Sequence, residues 1–199
     1  MIALIPLRWL TLYARSRQVP ASLAAVVVGA VTVAVLARDG GGAGGPADPR
    51  PPVLVLAAGA MAFSVGLSGQ DPALDRTAAI RWVPRRAAHI LLAGVVLATV
   101  VLTAQILGED MATTAFAVST GAGLMGLVAL GAALAGGQYA WTLPFAWLSY
   151  AFFAPPPTGT PTQVATWMLL PPGTAAGTWT ALVLTVTGTV AYAVAGPRR

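Results

Sequence analysis

The chain has 199 residues, 57% of them hydrophobic and 9% charged, and its mean hydropathy is +0.77. A soluble globular domain carries about a quarter charged residues, so that class is excluded. The formal charge of +5 rests on eleven basic residues, all arginine, and the lack of cysteine excludes disulfides, thiolate metal sites and a thiol nucleophile.

A membrane-spanning helix needs about 20 mostly apolar residues. Met1 to Tyr13 is apolar but interrupted by Arg8, and no small-residue cleavage pattern follows, so it does not read as a cleavable signal peptide. Ile2, Ile5, Trp9, Leu12 and Tyr13 recur at helical spacing, with Arg8 and Arg15 towards the other side. That pattern predicts an interfacial helix over residues 1–19, the alternative being a charged lead-in to the first span. Pro20 to Ala37 is the first expected span. Asp39 to Pro52, with GGGAGG at its centre, reads as a flexible external connection.

Val53 to Gly69 is the second expected span. The following segment, 70–86, holds Arg76, Arg81, Arg85 and Arg86. Asp71-Pro72 is a helix-start pair, because Asp caps free backbone N–H groups and Pro fits the first helical position. Leu74, Ile80 and Trp82 give the segment an apolar side. It reads either as a short structured helix that grips a cytoplasmic partner or as arginines that only fix topology.

Ala87 to Leu107 is the third expected span, with His89 and Gln105 near its ends. His89 reads as a boundary or packing residue rather than a proton relay. Gln105 is placed to hydrogen-bond across helices. Met111 to Ala135 is the fourth. It carries the small-xxx-small pairs Ala117/Gly121 and Ala122/Gly126, which favour close helix packing within the chain or across a dimer. Gln138 to Ala154, containing Pro144, is a shorter fifth. The external loop 155–175 contains a proline cluster and the apolar piece Val164 to Leu170, too short to span. It reads as a re-entrant or interfacial element anchored by Trp141, Trp147, Tyr150, Trp167 and Trp179, or as a surface loop beside an ordinary aromatic belt. Ala176 to Gly196 is the sixth.

Six spans put Arg8, Arg15, Arg17, the four arginines of 70–86, Arg198 and Arg199 on one face, which should be cytoplasmic. The other face receives only Arg38 and Arg50, together with Asp39, Asp48, Glu109 and Asp110. Five or seven spans would split the arginines. No acidic residue lies deep in any span, which argues against a proton- or sodium-coupled pump. Ser64, Thr103, Ser119 and Thr120 have no paired base and read as packing hydroxyls. Without lysine the chain has no P-loop, and no Ser/His, paired-carboxylate or metal-ligand constellation marks it as an enzyme.

In this layout the chain resembles the membrane subunit of an ABC transporter of the type-2 permease class. An amphipathic N-terminal helix (Ile2 to Arg17) precedes span one. A cytoplasmic helix (Asp71 to Trp82) joins spans two and three. Six spans have both ends inside, and short external elements lie between spans five and six. The phrase SGQDPALDRTAAIRWVPRRAAH is similar to the corresponding loop of compact actinobacterial permeases. The chain is short for that family, and its first external loop is Gly-rich rather than structured.

The resemblance implies an all-α, polytopic fold over 1–199 in a bacterial plasma membrane, with both termini cytoplasmic. It implies a second membrane subunit, identical or homologous, and a separate ATPase subunit that holds ATP and Mg. This chain would hold no cofactor and bind no nucleic acid; the lipid bilayer is its surroundings. Leu74, Asp75, Arg76, Ile80, Arg81 and Trp82 would form the ATPase-docking surface, flanked by Arg8, Arg15 and Arg17. Phe63, Phe145 and Phe152 would line the path of a hydrophobic or amphipathic export substrate such as a drug, antibiotic, peptide or lipid. The alternative is a membrane scaffold or regulatory subunit, which needs no docking helix.

Overall fold

The computed structural model describes residues 48–67, 82–105 and 112–197, together with Pro20, Leu23, Ala24, Val27, Val28, Gly29 and Val31, which are helical. All regular structure among the described residues is helical. Four helices are long and apolar enough to cross a membrane, which makes this a multi-pass membrane protein.

Helix α1, Arg50–Ser64, starts at a proline-rich turn. Pro51 and Pro52 occupy the first positions, where a missing N–H costs nothing, and Asp48 Oδ1 accepts the Arg50 N–H at 3.0 Å. A 3-10 turn, Val65–Leu67, prolongs α1 to a total of 18 residues. Helix α2, Trp82–Gln105, is the longest at 24 residues, about 36 Å. At its far end Gln105 Oε1 accepts the Ala112 N–H at 2.9 Å. The glutamine thus closes the connection to the next helix rather than bridging two spans.

Helix α3, Thr114–Ala135, is the central post. Thr113 caps it by accepting the Phe116 N–H at 3.2 Å, and Gly136, at φ 101, ends it. Apolar residues occupy all its sides, as expected of a helix surrounded by others. It packs against α1, α2, the short helix Thr142–Phe153 and the last described helix, Ala175–Ala195.

In hydrocarbon the hydrophobic effect does not draw helices together, so close packing must. Glycines supply it. A Cβ on Gly126 would collide with the backbone of Leu184 and Thr185, and one on Gly188 with the backbone of Gly126. The expected Ala122/Gly126 pair therefore acts within the chain, where α3 crosses the last helix. A Cβ on Gly121, of the other pair, would lie 3.6 Å from Gly94 O on α2, an ordinary contact.

The region expected as a fifth span is a 3-10 turn, Gly137–Tyr139, followed by helix α4, Thr142–Phe153, of 12 residues. At about 18 Å, α4 is shorter than the hydrocarbon core. The regular helix starts late in that run, after the 3-10 turn, and Pro144 in its first turn has no N–H to bond back to Ala140. Prolines 155–157 then bar continuation. Helix α5, Thr160–Ala165, and a 3-10 turn, Trp167–Leu169, lead to helix α6, Ala175–Ala195. Trp147 Nε1 donates to Ala165 O at 2.8 Å, tying α4 to the end of α5. The span expected at Pro20 to Ala37 lies mostly outside the described residues, as do the interfacial helix at 1–19 and the connection 39–47.

Several span hydroxyls donate to the carbonyl one turn back. Thr99 bonds Val95 O and Thr103 bonds Thr99 O, both at 2.8 Å. In α6, Thr180, Thr185 and Thr187 bond Ala176, Ala181 and Val183. Ser64 donates to Met61 O at 2.6 Å and Ser119 to Phe116 O at 3.3 Å. Each of these hydroxyls is thus bonded within its own helix.

Candidate functional site

Seven of the eight residues expected to dock a partner, Leu74, Asp75, Arg76, Ile80, Arg81, Arg8 and Arg15, lie outside the described residues, as does Arg17. The eighth, Trp82, opens α2. It continues the buried stripe Ile90, Ala93, Leu97, Val101 and Ala104 towards the arginine-bearing end, with Arg86 between them at helical spacing. Its Nε1 is buried with no hydrogen-bond partner. Arg85 points to the exposed side and Arg86 is half-buried.

The described residues on either side of 68–81 are both fixed to the last turn of α6. Before the segment, Leu67 O accepts the Tyr192 hydroxyl at 3.3 Å, a buried bond between residues 125 apart. After it, the Arg86 guanidinium sits on Gly196, where an added Cβ would lie 2.7 Å from its Nη1 and 3.0 Å from Cζ. Gly196 has φ 70 and ψ −178, a region open in practice only to glycine. A guanidinium at that helix terminus also faces the negative end of the α6 dipole, where α6 has no basic residue of its own. His89, one turn further along α2, is half-buried and engaged rather than free.

The three phenylalanines expected to line a path differ in exposure. Phe63 is buried in the core of the chain. Phe145 is half exposed and meets Trp141 edge-on at 5.9 Å between ring centroids. Phe152 is partly buried against the core. The aromatic residues of the 138–179 region also divide. Trp141, Tyr150 and Trp179 are exposed, as membrane-surface anchors would be, whereas Trp167 is 3% exposed. Its indole fills the slot left by Gly123, where a Cβ would lie 2.5 Å from Cη2 and 3.1 Å from Ala181 Cα. Trp167 is thus a packing residue that seats the segment between α5 and α6 on α3 and α6, and its Nε1 is buried without a partner.

No family model matches this chain, and neither a curated protein nor a solved structure matches it. What can be said of its function therefore rests on its own residues. Asp48, outside the helices, is the only carboxylate among the described residues. The helices present hydrocarbon, back-bonded hydroxyls and a cationic end. Tyr192 and Gly196 escaped the sequence reading. A signal for Gly196 existed, since a glycine followed by proline after an apolar run is a helix-stop pattern. Tyr192 had none, because nothing local ties a tyrosine to a carbonyl 125 residues away.

Proposed function

We propose that this chain is the membrane subunit of an ATP-driven exporter of the type-2 ABC permease class, paired with a second membrane subunit and resting on a separate ATPase. The observation that carries the reading is the fixation of both flanks of 68–81 on the last turn of α6. A segment that relays the closing of a partner needs ends that do not yield, and a segment that only fixes topology does not. The short elements α5 and Trp167–Leu169 between α4 and α6 also suit the external elements of that class. In this reading the 3-10 turn Gly137–Tyr139 and α4 together serve as the fifth of six spans, and both termini lie in the cytoplasm. Leu74, Asp75, Arg76, Ile80, Arg81 and Trp82, with Arg8 and Arg15, dock the ATPase, which binds ATP and Mg. Cargo passes along the seam between the two membrane subunits and is hydrophobic or amphipathic. Phe145, half exposed, is the phenylalanine best placed to meet it, and Phe63 the least.

The test is a detergent pull-down of the tagged chain from cells expressing its native neighbours, with mass spectrometry of what stays bound. An ATPase recovered in stoichiometric amount supports the exporter. A homogeneous preparation without one refutes it in favour of a scaffold or stand-alone membrane protein.

A further inference from the structure

Trp167 is 3% exposed, and its Nε1 has no partner within the chain. A buried indole N–H without an acceptor is destabilising, so its surroundings should supply one. The far edge of the indole, Cη2 and Cζ3, sits in the slot at Gly123, which Ala181 of α6 also borders. Nε1 belongs to the opposite, pyrrole end of the ring system. One turn nearer the starts of both helices, Trp167 lines a cavity of about 20 Å3. Ser119 and Thr120 of α3, one turn before Gly123, line it with Trp167. So do Gly177 and Thr178 of α6, one turn before Ala181, and residues 170–174 of the connection between them.

The polar groups of this cavity select its occupant. Ser119 already donates to Phe116 O at 3.3 Å, and Thr174 to Pro171 O at 2.6 Å. Each therefore turns only oxygen lone pairs to a ligand. Thr120, itself 3% exposed, adds a third hydroxyl. An apolar occupant would leave Nε1 unbonded. An anion would meet the lone pairs of Ser119 and Thr174, and no lining residue is cationic. A water molecule accepts one proton and donates two, which matches one orphan donor and two acceptors. It needs roughly 10–15 Å3, so the cavity has room for one. We propose that this cavity binds a single water molecule, which accepts the Trp167 Nε1–H and donates to Ser119 Oγ and Thr174 Oγ1. The water joins the connection between α5 and α6 to the start of α3 by hydrogen bonds, where the Gly123 slot holds it by shape alone. The site does not depend on the transport reading: a scaffold with these helices would hold the same water.

The test is NMR of the full chain in detergent micelles with isotope-labelled tryptophan, reading dipolar cross-peaks between water and each indole N–H. Six tryptophans give six indole resonances, and the one lost in Trp167→Phe belongs to Trp167. Should that variant not fold, replacing the other five by phenylalanine one at a time assigns the resonance by elimination. The wild type should show a cross-peak from water to the Trp167 Nε1–H, unchanged when gluconate replaces chloride. Ser119→Val, which puts methyl groups into the cavity, should abolish the cross-peak and keep the resonance. Thr174→Val removes the other acceptor at a position whose side chain makes no cap bond, and should have the same effect if Ser119→Val is not monodisperse. A wild type without the cross-peak, or a folded variant in which it is undiminished, overturns the proposal. So does a Trp167 resonance that shifts with chloride, which would give the cavity to an anion.

Discussion

Gly188→Ala adds one methyl group at the point where α6 crosses α3. That methyl would overlap Gly126 O and lie 2.6 Å from Gly126 C and 2.9 Å from Gly126 Cα. Ordinary contacts begin at 3.4 Å, so the Gly126 C contact alone needs about 0.8 Å of separation and the overlap with Gly126 O needs more. Both sides of the clash are helix backbone, which has no rotamer to change. A radial gap of about 0.5–1 Å forfeits a quarter to a half of each dispersion contact it opens. Overpacking costs about 1–3 kcal/mol, and the unyielding partners place this case near about 3 kcal/mol. At about 2–4 °C per kcal/mol for a chain of this length, the melting temperature should fall by about 6–12 °C. Gly94→Ala is the control. Its Cβ would lie 3.7 Å from Ala122 Cα, an ordinary contact, and alanine gains up to about 1 kcal/mol of helix preference over glycine. Thermal unfolding of the detergent-solubilised protein, followed by fluorescence-detected size exclusion, measures both. A Gly188→Ala protein melting within about 2 °C of wild type, less than about 1 kcal/mol on that scale, or a Gly94→Ala protein that falls equally far, would refute the account.

Tyr192→Phe leaves the Leu67 carbonyl buried without its donor, so it should cost about 1–3 kcal/mol in the same assay, while Tyr192→Ala costs more by opening a cavity. Gly196→Ala should cost about 1–3 kcal/mol for its backbone conformation, and Gly196→Asn should not rescue it, because asparagine brings the same Cβ against Arg86. A stable Gly196→Asn would show that the guanidinium moves aside freely. Under the proposed function, Arg76→Glu combined with Arg81→Glu should sharply reduce ATPase recovery in the pull-down while membrane insertion stays intact. Recovery equal to wild type would remove that segment from the docking surface.

The class of the protein was legible from composition. So were the spans around α1, α2, α3 and α6, because each is a run of apolar residues long enough to count. Their faces were harder to read. A helix that is apolar on every side carries no polar stripe to mark which side meets protein, so nothing in the sequence put Phe63 in the core or Trp167 against Gly123. Trp167 was assigned to the membrane surface by the usual preference of indoles. Its actual place depends on Gly123, a slot on another helix that becomes visible only in three dimensions. The boundary at Gly136-Gly137 was legible, but the shortness of α4 was not, because hydropathy averages across the 3-10 turn and Pro144 and suggests one span over Gln138 to Ala154. The close approach at Gly126 was flagged by its small-xxx-small spacing. Its partner Gly188 was not, because it lies among threonines and valines instead of a second small-residue pair.

The back-bonded threonines bear on how the last helix enters the bilayer. α6 has the lowest mean hydropathy of the four candidate spans, 1.4, and its five threonines pull that value down. A hydropathy scale scores each hydroxyl as though water must be stripped from it. Thr180, Thr185 and Thr187 instead hand their protons to carbonyls of the same helix, so the helix forms these bonds without help from any neighbour. A translocon weighing α6 as a formed helix meets a segment greasier than its letters suggest. Insertion of this final span should therefore need neither α3 nor the Gly126 crossing to be in place first.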